Sequence, residues 1–109
     1  MKKYDIHITP HAAEMLSKIY EYIAFELLEP TYAANQISRL EEKIHSLDIL
    51  PKRCKVFCTT IYPGQELRRL LVDNYSVFYY IDGGQVTITD ILYSRSDIRK
   101  RIEGMSDSL

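Results

Sequence analysis

Cys54 and Cys58 stand among Lys52, Arg53 and Lys55, and cationic neighbours favour the thiolate that redox chemistry and metal ligation both need. Their spacing argues against either use. Three residues separate them where redox and zinc motifs have two, and no second cysteine or histidine cluster completes a metal shell. Reduced, non-catalytic thiols are expected, with no metal and no cofactor. His7, His11 and His45 are expected at the surface or at helix edges, the ordinary place for histidine. A second set of groups is more promising. Arg69 and Arg95 carry fixed positive charge, and nine tyrosines without a tryptophan offer large rings with a polar end. Those are residue types enriched where one macromolecule meets another.

The elements that must position these groups are legible in the apolar spacing. Tyr4, Ile6 and Ile8 alternate with Lys3, Asp5 and His7, which predicts a half-buried strand over residues 3–8. Thr9 then supplies a capping hydroxyl and Pro10 a first-turn residue. Leu16, Ile19, Tyr20, Ile23, Ala24 and Leu27 recur at three- and four-residue steps, predicting a helix from about 11 to 28. Pro30 stops it, and Thr31 is expected to cap a second helix through Ala33, Ile37, Leu40, Ile44 and Leu47, closed by Pro51. The short connection predicts an antiparallel helical hairpin.

Residues 51–66 show no sustained period and are expected to form the one long irregular loop, a common place for function. Leu67–Val72, Tyr75–Ile81 and Val86–Tyr93 then read as three strands joined by Asp73-Asn74 and Asp82-Gly83-Gly84-Gln85. The middle one is apolar on both sides and should be central. In the last, the apolar phase jumps from Val86 and Ile88 to Ile91 and Tyr93, which predicts a bulge near Thr89-Asp90. Ser96 is placed to cap a short final helix from Asp97 to about Glu103, followed by a mobile tail.

The expected product is one α+β domain over residues 1–109, ordered β-α-α-β-β-β, with a helical hairpin on one face of an antiparallel sheet and a short C-terminal helix. The other face is left available, and Arg69, Arg95, Tyr93 and either Tyr79 or Tyr80 are candidates to converge there. The chain can bury a core without a staple. No signal peptide or long apolar run is present, so a cytoplasmic protein without membrane contact is expected. The net charge of −1 argues against a strong general nucleic-acid binder. Residues 1–51 carry five basic and eight acidic groups and residues 52–109 nine and seven, so the second half offers the more cationic surface.

Arg68-Arg69-Leu70-Leu71-Val72-Asp73-Asn74-Tyr75-Ser76-Val77-Phe78-Tyr79-Tyr80-Ile81 resembles the arginine, apolar strand, Asn-Tyr turn and Val-x-Tyr strand of the RelE/ParE toxins. Ile91-Leu92-Tyr93-Ser94-Arg95-Ser96-Asp97 resembles their final strand and Tyr-x-Arg-x-Asp ending. Tyr22-Ile23 and Glu26-Leu27 before Pro30, Ala33-Ala34 after it, and Leu47 then Pro51 agree, so the likeness spans about residues 4–99. It implies a growth-inhibiting toxin of a type II toxin–antitoxin or plasmid-stabilisation module, held in a hetero-oligomer by a cognate antitoxin.

The resemblance implies two alternative targets. One is the ribosome and its mRNA, cut by a RelE-like endoribonuclease; the other is DNA gyrase, bound and inhibited as by ParE. Cleavage needs a general base, a clamp on the phosphate and a proton donor. Glu66 would be the base, Arg68, Arg69 and Arg95 the clamp, and Tyr93 the stacking or proton-donating group. Arg68 and Arg69 alternate across a strand, however, so only one can face such a site. Three features depart from the endonuclease pattern: Leu67 where RelE is basic, Ser76 where arginine is frequent, and no aromatic residue soon after Arg95. The balance favours the gyrase-binding mode.

Overall fold

The computed structural model describes residues 2–59 and 64–95. Strand β1 (Asp5–Ile8) leads through Thr9 into helix α1 (Pro10–Glu21). The Thr9 hydroxyl accepts the amide of Ala12 at 3.1 Å and donates to the Ile88 carbonyl at 2.9 Å, so one side chain caps the helix and ties it to the sheet. α1 does not run unbroken to residue 28. It widens into a π turn over Tyr22–Glu26 and stops at Leu28, whose backbone is left-handed at φ 55°. Helix α2 (Pro30–His45) follows with Pro30 in its first turn. No side-chain cap is present, so Thr31 lies inside the helix rather than capping it: the fixed φ of proline already suits the first position.

Among the described residues five strands form one sheet in the order β1-β5-β4-β3-β2, where β2 is Val56–Cys58, β3 Leu67–Val72, β4 Tyr75–Asp82 and β5 Gln85–Tyr93. The sheet is mixed rather than wholly antiparallel, because β1 pairs parallel to β5, from Asp5 beside Gln85 to Ile8 beside Ile88. Alternation within a strand says which faces are buried but not which way the neighbour runs. β2 lies within the segment expected to be irregular. It is too short to show a period, and its three residues are extended by pairing with Arg68 and Leu67. Phe78 stands opposite Asp90 and Tyr79 opposite Ile88, so Thr89 is the extra residue of a bulge at the place where the apolar phase jumps.

Both helices pack on one face of the sheet. Ala12, Leu40, Ile44 and Leu47 meet Val72, Val77, Tyr79, Val86, Ile88 and Ile91 there. On the other face Leu67, Phe78 and Leu92 form a smaller cluster with Phe57 and Cys58, the Phe57 and Phe78 rings meeting edge to face at 5.0 Å. Ser76 to Tyr79 are all buried, as a central strand requires. The expected C-terminal helix lies outside the described residues. No helix among them is long and apolar enough to cross a membrane.

Candidate functional site

On the sheet face away from the helices, Arg69 is held rather than free. Its Nε donates to the Ser76 hydroxyl at 2.9 Å, that hydroxyl shares a 2.8 Å hydrogen bond with Ser94, and the guanidinium lies 5.9 Å from the Phe57 ring centre. Arg69 stands opposite Phe78 and Ser76 two residues earlier on the same face of β4, so the strand register makes this contact. Arg95 is exposed just beyond the end of β5. Tyr80 alternates onto this face, whereas Tyr79 points under the helices and is fully buried.

Arg68 faces the opposite way. Its Nη1 donates to the carbonyls of Lys52 at 3.2 Å and Cys54 at 2.7 Å, and Nη2 is 3.7 Å from the Glu66 carboxylate. The hydroxyl of Tyr79 donates to the Pro51 carbonyl close by. Burial, then the neighbouring Cys54, pushes that phenol above its usual range, so it stays a donor. Arg68 and Tyr79 thus fasten the 51–54 segment to the edge of the sheet. Cys54 packs against the main core and Cys58 against the smaller cluster.

At the other end of β4 a groove of about 830 Å³ runs between α1, its π turn, the start of α2 and the ends of β4 and β5. Tyr22, Ile23, Leu27, Tyr32, Tyr75, Ile91 and Tyr93 are among the residues that line it, with Lys18 and Asn74 at polar points. Tyr75 and Tyr93 meet edge to face at 5.7 Å. Burial raises the Tyr75 phenol, and the nearby phenols of Tyr32, Tyr93 and Tyr22 add to that, so four hydroxyls gather at this place. In the same inter-helix turn Phe25 and Leu28 are 68 % and 77 % exposed. Exposed aromatic and aliphatic side chains gathered at the tip of a helical hairpin make this groove the candidate contact site.

A model of the ParE toxins of type II toxin–antitoxin systems, parDE, matches residues 6–98. The chain belongs to this family. Among solved structures the fold is similar to a chain of the chromosomal ParDE toxin–antitoxin system from P. aeruginosa, with a TM-score of 0.70 and 20 % identity over 85 % of this chain and 98 % of that one. It is also similar to chains of the RelBE2 toxin–antitoxin complex from Mycobacterium tuberculosis, at 0.56 and 22 % over 85 % and 93 %, and of the archaeal RelE–RelB complex from Pyrococcus horikoshii OT3, at 0.58 and 16 % over 88 % and 100 %. A search of curated proteins gives no match.

In this ParE-family chain the residues named for cleavage lie in three places. Arg69 is on the open face, Tyr93 lines the groove on the helix side, and Glu66 and Arg68 sit at the edge formed by the start of β3. Arg95 follows Tyr93 by two residues at the end of β5. His11 is half exposed, with Nε2 3.3 Å from the buried Asp90 Oδ1. That oxygen accepts no hydrogen bond. Among the described residues no group of three His, Cys, Asp or Glu could hold a metal. The groove residues Tyr22, Tyr32 and Tyr75 were not singled out by spacing. The tyrosine count was the available signal, and only the hairpin turn and the β4–β5 register bring the rings together.

Proposed function

We propose that this toxin acts by binding a protein, DNA gyrase, and that a cognate antitoxin neutralises it in a hetero-oligomer by covering the same tyrosine-lined surface. The distribution of the candidate cleavage groups is the observation that carries the reading. A general base and a phosphate clamp must lie within hydrogen-bond reach of one phosphodiester. Arg69 and Arg68 project from opposite faces of β3, so the two cannot close on one phosphate. The groove, by contrast, has the aromatic, weakly charged lining of a protein-binding surface. The match to the ParE model supports the same choice over RNA cleavage.

Induction in bacteria, with DNA supercoiling and protein synthesis followed separately, tests this. Loss of supercoiling before any fall in translation is expected, and purified toxin should inhibit gyrase at micromolar concentration. Prompt arrest of translation with cut mRNA and normal supercoiling would replace gyrase by the ribosome. Co-expression with the adjacent small open reading frame should restore growth.

A further inference from the structure

The far end of the sheet holds a second concavity that the proposed mode of action does not use. It has a volume of about 270 Å³, a mostly polar lining, and walls formed by Lys2, Lys52, Arg68 and Glu66 with Tyr4 and the backbone of Gly64 and Gly83. Ile81 lines it while Tyr75 lines the apolar groove, so six steps along β4, roughly 20 Å of strand, separate the two.

We propose that this pocket binds a diphosphate group, carried by inorganic diphosphate or by a nucleoside diphosphate. Three cationic residues line it against one acidic residue, in a chain whose net charge is −1. Arg68 is the least exposed of the three. Its side chain is only 12 % exposed, and two carbonyls hold it in place, so little conformational entropy is lost when an anion meets it. Its hold on the Lys52 carbonyl also fixes the backbone from which the Lys52 side chain extends. Lys2 lies 4.8 Å above the Tyr4 ring, which keeps its ammonium on the pocket wall. Glu66 is 61 % exposed and 3.7 Å from Arg68, beyond hydrogen-bond length, so a more highly charged anion displaces it. Gly64 and Gly83 in its lining, at φ +81° and +60°, have left-handed backbone that side chains rarely adopt, and no atom lies within 4 Å of where a Cβ would stand. The volume falls below the range of drug-sized sites, which suits a compact anion.

Titration of the purified full chain with inorganic diphosphate, followed by calorimetry, is expected to give saturable one-to-one binding at millimolar ligand or below. Lys2→Ala and Lys52→Ala should each weaken it about fivefold, the Coulomb contribution of one charge at contact in water, and Glu66→Gln should tighten it by a similar factor. All three positions are exposed, and unchanged melting curves verify the fold. ADP binding as tightly as diphosphate assigns recognition to the diphosphate alone; tighter ADP binding adds a nucleoside contact. Absence of saturable binding, or binding indifferent to all three substitutions, overturns the proposal. So does a single-stranded oligonucleotide that binds more tightly and displaces diphosphate, because the surface would then follow a nucleic-acid backbone.

Discussion

At Tyr79 a single side chain joins the core to the loop that precedes β2. The ring is buried beneath the helices, and the hydroxyl donates to the Pro51 carbonyl, in a segment that also presents two carbonyls to Arg68. Removing the hydroxyl keeps the ring and its packing but strands a carbonyl with no water to replace the lost donor. Tyr79→Phe should therefore cost about 1–2 kcal/mol, within the range for an unsatisfied buried acceptor. Urea denaturation measures it, and a midpoint equal to the parent's would mean that the loop carbonyl finds another donor. Ser76 makes a related point about reading residues singly. Compared position by position with RelE it is a missing arginine, but in the fold it is the hydroxyl that holds Arg69. That role depends on the β3–β4 register, which no local pattern specifies.

The hairpin is fastened to the sheet by an ion pair between α2 and the turn joining β3 to β4. Arg39 meets Asp73 with two hydrogen bonds, of 2.7 and 3.0 Å, and Gln36 adds a third at 3.1 Å. The hydrogen bond from Arg39, then that from Gln36, holds the Asp73 carboxyl below its ordinary value of 3.8. A depressed folded value means that the stabilisation is present above the ordinary value and is lost as pH falls through the lower, folded one. Arg39→Ala should thus lower the melting temperature slightly at pH 7, less so in high salt, with the gap to the parent closing once Asp73 is protonated in both. Thermal melts from pH 7 down to pH 2 check this; a gap that persists at the acid end would assign the loss to packing of the arginine stem. Elements whose signals are local were legible before folding: the Thr9 cap, both helical faces, the three long strands and the bulge at Thr89. What was hidden depended on partners distant in sequence. β2 is extended only because β3 lies beside it, and β1 runs parallel to β5 because the helical hairpin returns the chain across the sheet.

On the scale of the whole molecule, the apolar groove and the cationic pocket lie at opposite ends of β4, so protein contact and anion binding are separable by substitution. This makes the mode of action testable without a structure of the complex. Tyr22 and Leu27 line the groove and are 56 % and 51 % exposed, so their truncation should leave the core intact. Buried aromatic anchors at a protein interface are commonly worth 2 kcal/mol or more, about a thirtyfold change in affinity. Tyr22→Ser with Leu27→Ser should accordingly weaken antitoxin binding at least thirtyfold and remove growth inhibition, with the far-ultraviolet spectrum unchanged. The Arg69→Ala, Arg95→Ala chain should stay toxic and still bind antitoxin, since neither arginine lines the groove. The opposite pattern, a harmless arginine variant and a toxic groove variant, would assign toxicity to the open sheet face and to phosphodiester chemistry there. Loss of antitoxin binding with toxicity retained in the groove variant would divide the surface, giving the groove to the antitoxin and a separate patch to the target.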